Sequence, residues 1–346
     1  MQKLSYWVVG LLILVLAGCN GEIPETTPVN GKMEVIIGGM NGQAAVTRSD
    51  YTMWPEEENC IRTLAFFQFD PEGLHNREEL FHFRNFVNEG TPYGVLKAEI
   101  EDVSFKSYNG KHTTVCVVGN ITEDEVNEFY SEYTSSTSSQ ILLSDFKKWK
   151  ATFKYKEDAD SLGHLEQVYT FGYYQGVIND DNRIARLIMG RLCSRIEISL
   201  TADNDVDFAQ GVGFSFDNVP TQAFYFPGDD AVMDTLGDGL FETDNLSVTT
   251  TERLFYFYMP GNSAKSADEA LTLKIAYNNQ VKEVTLCTLL PNSDWNYWDY
   301  GINRNSIYRF RINLRKKTAL PANRAMTLDE SEPDKAFAGK SVDVWF

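Results

Sequence analysis

Apolar and polar residues alternate over short stretches along most of this chain, the period of half-buried strands rather than of helices. The clearest stretch is Ile307 to Leu314, where Tyr308, Phe310, Ile312 and Leu314 face opposite to Arg309, Arg311 and Asn313, with Ile307 the one apolar residue on the polar side. Further strands are expected at Met33 to Ile37, Ile61 to Phe69, Val95 to Lys106, Thr113 to Val118, Ser194 to Thr201, Gly213 to Phe216, Leu254 to Tyr258 and Ser341 to Phe346. Leu271 to Tyr277 and Gln280 to Leu286 flank Asn278-Asn279, residues that tolerate positive φ, so a type I′ hairpin is expected there. One short helix is expected from Glu123 to Tyr130, because Thr122 is placed to cap it and Glu125 completes a capping box.

These elements group along the chain. Residues 51 to 175 are expected to form a first β domain and residues 176 to 317 a second. Residues 19 to 50 form a spacer, rich at its start in Gly, Pro, Thr and Glu, followed by an N-terminal strand, and residues 318 to 346 a largely polar arm ending in a strand. The tract Thr134-Ser-Ser-Thr-Ser-Ser139 reads as an exposed loop. Composition agrees with an all-β fold: 13% of residues are aromatic, and 24 Gly and 11 Pro punctuate the strands. With 49 Asp and Glu against 31 Lys and Arg, the formal charge of -18 has the wrong sign for nucleic acid or anionic headgroups.

The N-terminus speaks to compartment. Lys3 precedes an apolar stretch from Trp7 to Ala17, short for a membrane span, and residues 1 to 18 read as a signal peptide ending at Leu16-Ala17-Gly18-Cys19. That tetrapeptide resembles a bacterial lipobox, which implies cleavage before Cys19, acylation of its thiol, and a tether in which several acyl chains anchor where one would be marginal. A plain secretory signal or an uncleaved anchor is the other reading. Removal of residues 1 to 18 leaves 30 Lys and Arg against 49 acids, a formal charge of -19. Cys60, Cys116, Cys193 and Cys287 stand singly, with no C-x-x-C and no paired His, and read as small buried hydrophobes. A disulfide would have no partner that sequence can choose.

Candidate chemistry is sparse. The chain has no nucleophile elbow, zinc-protease or P-loop motif, so no catalytic residue, metal or cofactor is expected. His75 and His82, with Glu78 and Glu79 between them, would share a helix face as a weak metal site, but read better as a solvated amphipathic turn. Asp203-Asn-Asp-Val-Asp207 begins like a calcium loop, yet Phe208 and Phe214 stand where Gly and a bidentate Glu belong. Asp229-Asp230 and Asp234 to Asp238 read as acidic turns. Trp295, Tyr297, Trp298 and Tyr300 place four aromatics in six residues, either as core packing or as a platform on which a sugar stacks. The platform defines an alternative function, a monomeric glycan-binding surface lipoprotein.

The lipobox, Thr47-Arg48-Ser49 ahead of Ile61-Arg-Thr-Leu-Ala-Phe-Phe-Gln-Phe-Asp70, Val117-Val-Gly-Asn-Ile121 and Arg191-Leu-Cys-Ser-Arg-Ile-Glu-Ile-Ser-Leu200 occur in an order that resembles the fimbrillin family of Bacteroidetes type V pilus proteins. Phe255-Tyr-Phe-Tyr-Met-Pro260 and Asn303-Arg-Asn-Ser-Ile-Tyr-Arg-Phe-Arg-Ile-Asn-Leu314 fit the same pattern. The resemblance implies two tandem transthyretin-like β-sandwiches with short helical insertions, in a stalk, tip or anchor lipoprotein of the outer membrane and cell-surface fimbrium. It implies other fimbrial subunits as partners through strand exchange. It also marks Arg48 and Ser49 as the bond a maturation protease would cut, although Arg48 reads equally as a solvated loop residue and anchors escape the cut. Val342, Val344 and Phe346, on one face of a strand, suit a donor that fills a neighbour's slot; pairing within the chain's own second domain is the alternative. Asp160-Ser-Leu162 and Asp234-Thr-Leu236 look like the O-glycosylation sites of exported proteins of this phylum.

Overall fold

The computed structural model describes residues 27–37, 41–42, 61–85, 96–134, 140–156, 163–179, 184–205, 207–227, 236–289, 298–316, 334–337 and 341–346. Its strands in the first half are β1 (Thr27–Ile37), β2 (Asn41–Gly42), β3 (Thr63–Phe69), β4 (Leu74–Asn76), β5 (Phe81–Asn85), β6 (Leu96–Ser107), β7 (His112–Gly119), β8 (Gln140–Leu142), β9 (Lys150–Thr152) and β10 (Thr170–Val177). They continue with β11 (Ile184–Arg191), β12 (Cys193–Ala202), β13 (Phe208–Asp217), β14 (Val219–Pro220), β15 (Gln222–Phe224), β16 (Leu236–Gly237), β17 (Leu240–Val248) and β18 (Arg253–Pro260). The last are β19 (Thr272–Tyr277), β20 (Gln280–Leu289), β21 (Trp298–Asp299), β22 (Ser306–Arg315), β23 (Asp334–Phe337) and β24 (Ser341–Trp345). Among the described residues the α-helices are short: α1 (Arg77–Leu80), α2 (Glu123–Tyr133) and α3 (Leu143–Phe146). The protein is all-β.

The first large sheet has seven strands in the order β5-β3-β7-β10-β11-β1-β6. Both of its faces are covered, which explains why β3 and β7 read as continuous apolar runs rather than clean alternations. Ala65, Phe67, Phe69, Cys116 and Val118 enter one cluster, while Leu64, Phe66, Val115 and Val117 enter another with Val103, Phe105, Leu187 and Met189. Helix α2 covers the first of these faces. Thr122 and Glu125 form the expected capping box, three acids in the first turn complement the helix dipole, and Val126, Phe129 and Tyr130 make the buried stripe. Phe129 stacks on Trp149 at 4.1 Å, and Phe67 meets both rings edge-on.

The Gly119-Asn120 pair ends β7 for a geometric reason. A Cβ on Gly119 would lie 2.2 Å from Thr170 Oγ1, and Asn120 holds φ at +60°, a left-handed conformation Asn tolerates. From there its Oδ1 accepts from the Arg62 N–H at 2.8 Å and its Nδ2 donates to the Val168 carbonyl at 2.8 Å, tying the entry of β3 to the segment before β10.

His75 corrects the expectation of a solvated turn. It is fully buried in β4, with Nδ1 2.8 Å from the Gln68 carbonyl and Nε2 2.6 Å from the Tyr130 hydroxyl. Helix α1 spans only four residues, so His82 lies beyond it in β5, 2.8 Å from the Ser104 carbonyl, and the two histidines share no helix face. Among the described residues no group of three or more His, Cys, Asp or Glu is arranged to hold a metal.

Most of the other described strands build two sheets around one core. β18-β12-β22-β2, with β24 also on β22, form a five-stranded sheet; β17-β13-β19-β20-β21, with β23 also on β20, form a six-stranded one. Ile196, Ile198, Phe214, Phe216, Leu273, Val284, Phe310 and Ile312 meet between them. β22 alternates as expected, and Ile307, the apolar residue on its polar side, packs against the cluster beneath α2. Asn278 and Asn279 both hold positive φ, +48° and +59°, the hairpin geometry their identity called for.

A division at residue 175 would cut through β10 and separate β11 from the sheet it completes, since Phe171 pairs with Gly190 and Lys32 to Ile37 pair with Ile184 to Met189. Ala223 and Tyr225 likewise belong to the cluster under α2. The first sheet therefore continues through Arg191.

Candidate functional site: the two chain ends

The N-terminal strand β1 lies inside the first sheet, bonded on both edges. It runs parallel to β11 from Lys32 with Ile184 to Ile37 with Met189, and antiparallel to β6 from Thr27 with Ser107 to Ile37 with Leu96. β6 is the last strand of that sheet, so its place in the sheet order depends on β1. Leu187 and Met189, in register with Val35 and Ile37, are fully buried. A few residues further on, β2 pairs Asn41 with Ser306 and Gly42 with Ile307 on the edge of β22. One N-terminal segment thus joins the seven-stranded and the five-stranded sheets.

The C-terminal strands use the same region. β24 runs parallel to β22, from Arg311 with Ser341 to Arg315 with Trp345, further along β22 than the β2 pairing. β23 pairs with β20 of the facing sheet, so the C-terminal segment touches both layers of this half. Val344 is fully buried in the core, while Val342 and Phe346 pack against it, Phe346 at 5.7 Å from both Phe208 and Tyr277. The outward face is held by charge: Arg315 lies 2.9 Å from Asp343 and 2.7 Å from Asp203, and Asn313 donates to both carboxylates. Val342 and Val344 thus lie in the chain's own sheet, with Phe346 just beyond the strand against the same core, the pairing that the sequence leaves open beside a donor role.

Between the halves sits a polar junction that sequence patterns did not single out. Glu197, 4% exposed, lies between Arg195 at 3.0 Å and Arg309 at 2.6 Å. The Asn305 N–H donates to the Cys193 carbonyl, Asn305 Oδ1 accepts from the Arg191 N–H, and Ser194 Oγ donates to the Asn303 carbonyl. These contacts join the Arg191 to Leu200 and Asn303 to Leu314 motifs. A buried arginine at 191 is invisible to alternation, because β11 ends and β12 begins there.

Several expected residues lie outside the described ones: Cys19, Arg48, Ser49, Cys60, Trp295, Tyr297, Ser161 and Thr235. Trp298 pairs through its backbone with Leu289, and Tyr300 is half-buried. Cys116, Cys193 and Cys287 are buried, and burial pushes the Cys116 thiol up. In the acidic stretch at 203 to 207, Asp205 accepts from the N–H and hydroxyl of Thr250, which hold its carboxyl below the usual range. Asp203 is paired with Arg315, so these carboxylates serve the fold's own bonds.

No family model and no curated protein matches the sequence. Among solved structures, the chain is similar to the tip fimbrial protein Mfa3 of Porphyromonas gingivalis with a C-terminal truncation, at 12% identity, 81% of this chain, 94% of that chain and a TM-score of 0.48. It is also similar to a fimbrial assembly protein of Parabacteroides distasonis, at 14% identity, 82% of this chain, 92% of that chain and a TM-score of 0.43.

Proposed function

We propose that this chain is a cell-surface fimbrial subunit or accessory, a stalk, tip or anchor protein that associates with other subunits by strand exchange and is tethered through acylated Cys19 as long as the Arg48–Ser49 bond is intact. The observation that supports it is the placement of β1: every cross-strand partner of β1 and β2 lies downstream of Arg48. A cut between Arg48 and Ser49 would detach both strands together. It would leave β6 and β11 facing each other across an empty strand position, with unpaired backbone groups on both sides and buried apolar residues beneath. A strand from another subunit would complete the sheet there through main-chain hydrogen bonds and alternate side chains.

Strand exchange of this kind needs no catalytic group, and the sequence offers no motif for one. Adhesion would follow from display on a polymer or on the outer membrane.

The test compares chains starting at Ser49 with an Arg48→Ala chain that retains the N-terminal segment, run unboiled on denaturing gels with partner subunits. Ladders from the first and monomers from the second are expected. Equal ladders from both, or none from a chain verified to start at Ser49, would contradict strand exchange. A chain that keeps acylated Cys19 on cells while co-purifying with fimbriae would place it as anchor or tip.

A further inference from the structure

A small cleft of about 200 Å³ opens at the junction between the halves, floored by Leu192 and Ile302, flanked by the half-buried ring of Phe226, and rimmed by Ser263 and Arg304. In a chain of formal charge -18 its lining holds no acidic side chain among the described residues. Arg304 reaches into this junction from the loop before β22. One guanidinium nitrogen, Nη1, donates to the carbonyls of Phe224 at 3.2 Å and Tyr225 at 2.9 Å. Among the described residues no carboxylate pairs with it, and desolvation lowers its pKa. A partly buried cation held this way gains stability from a counter-charge, and Nε and Nη2 keep their donors for one in the planar fork that matches a carboxylate. A second, larger cleft beside α2 differs in this respect, because Glu125, Glu128 and Glu132 there offset Lys148, Lys150 and Lys154.

From this geometry we infer that the cleft binds the carboxylate of an acidic sugar ring at the end of a glycan, with the guanidinium of Arg304 taking the carboxylate and the apolar floor and Phe226 taking the face of the ring. Size and surroundings favour a sugar over a peptide. The volume lies below the roughly 300–1,000 Å³ of pockets that enclose drug-sized ligands, so it admits one ring with the rest of the glycan outside. A peptide strand would need a free sheet edge, and the carbonyls of Phe224 and Tyr225 beside the cleft are already capped by Arg304. The site goes beyond the proposed assembly role and does not depend on strand exchange, since every residue named belongs to the monomer.

The test is calorimetric titration of the mature chain, made soluble by Cys19→Ala, with the methyl glycosides of N-acetylneuraminic acid and of glucuronic acid, each beside its neutral methyl ester. At least one acid should bind, its ester at least about tenfold more weakly because the charge-assisted pair is lost. Ser263→Trp, which fills the cleft from its exposed rim and leaves the Arg304 bonds to Phe224 and Tyr225 in place, should abolish binding at an unchanged melting temperature. Arg304→Lys should weaken it about tenfold. Equal binding of acid and ester, no binding of either acid up to about 10 mM, or undiminished binding by Ser263→Trp would overturn the assignment. So would a glutamate-containing dipeptide that binds as tightly as the sugars.

Discussion

Asp343 in the last strand lies 2.9 Å from Arg315 in β22, so the C-terminus is tied to its neighbour by an ion pair as well as by the strand ladder. Both side chains keep substantial exposure, 42% for Asp343 and 31% for Arg315. Solvent screening therefore limits the pair to less than about 1 kcal/mol. Asp343→Asn should change the unfolding midpoint only slightly, and the wild-type midpoint should vary little between low and high salt. A large loss in urea titration would show that the pair holds the strand.

Val344, by contrast, is fully buried although β24 lies at the sheet's edge, beside β22. Val344→Ala should cost about 2 kcal/mol through lost burial and a residual cavity, and Val344→Asp more, because a buried charge has no partner there. Deleting residues 334 to 346 should lower the melting temperature of the uncleaved monomer by several degrees, since it bares edges on β20 and β22 together. An unchanged midpoint in the deletion would mean that the strand contributes little to its own sheet and is free to serve a neighbour.

His75 should make stability fall as the solution is acidified. Burial lowers its pKa to about 4 against 6.5 for the unperturbed side chain. The unfolded chain therefore binds the extra proton first, so the contribution is full above pH 6.5 and is lost as pH falls toward 4. The loss is of the order of 3 kcal/mol. His75→Gln, which can still hydrogen-bond to the Gln68 carbonyl and the Tyr130 hydroxyl, should unfold with a flatter dependence across that window. Parallel curves for the two proteins would exclude His75 as the source.

Asn120 combines a left-handed backbone with two hydrogen bonds of its side chain. Asn120→Ala should cost about 2 to 4 kcal/mol, from strain and from two partners left unsatisfied, the Val168 carbonyl among them buried. Asn120→Gly relieves only the strain and should recover about 1 kcal/mol of that. Equal losses in chemical denaturation would leave the hydrogen bonds as the whole effect.

Local signals in the sequence were faithful where the structure is local. Thr122 and Glu125 meet within one helical turn, Asn278 and Asn279 close a two-residue turn, and β22 buries every second residue. Non-local pairing was not legible. Alternation says which face of a strand is buried and nothing of which strand lies beside it, so neither the insertion of β1 between β6 and β11 nor the allegiance of β11 to the first sheet was readable. Ile307 is the instructive residue: its place on the polar face broke the pattern, and the structure explains it by contact with the other half's core. His75 and Arg304 escaped because their burial comes from segments distant in sequence, Tyr130 for one and Phe224 for the other.

The most direct measurement of the central claim is hydrogen exchange, read by mass spectrometry, on the mature chain beginning at residue 19 and on the chain beginning at Ser49. Loss of β1 should expose the amides of β6 and the β1-facing edge of β11, residues 96–107 and 184–191, while β3, β7 and β12 to β20 stay protected; a peptide of residues 27–42 should restore the lost protection. Unchanged exchange over 96–107 in the Ser49 chain, or loss of protection throughout the protein, would contradict the claim that the N-terminal segment is a removable strand in an otherwise complete fold.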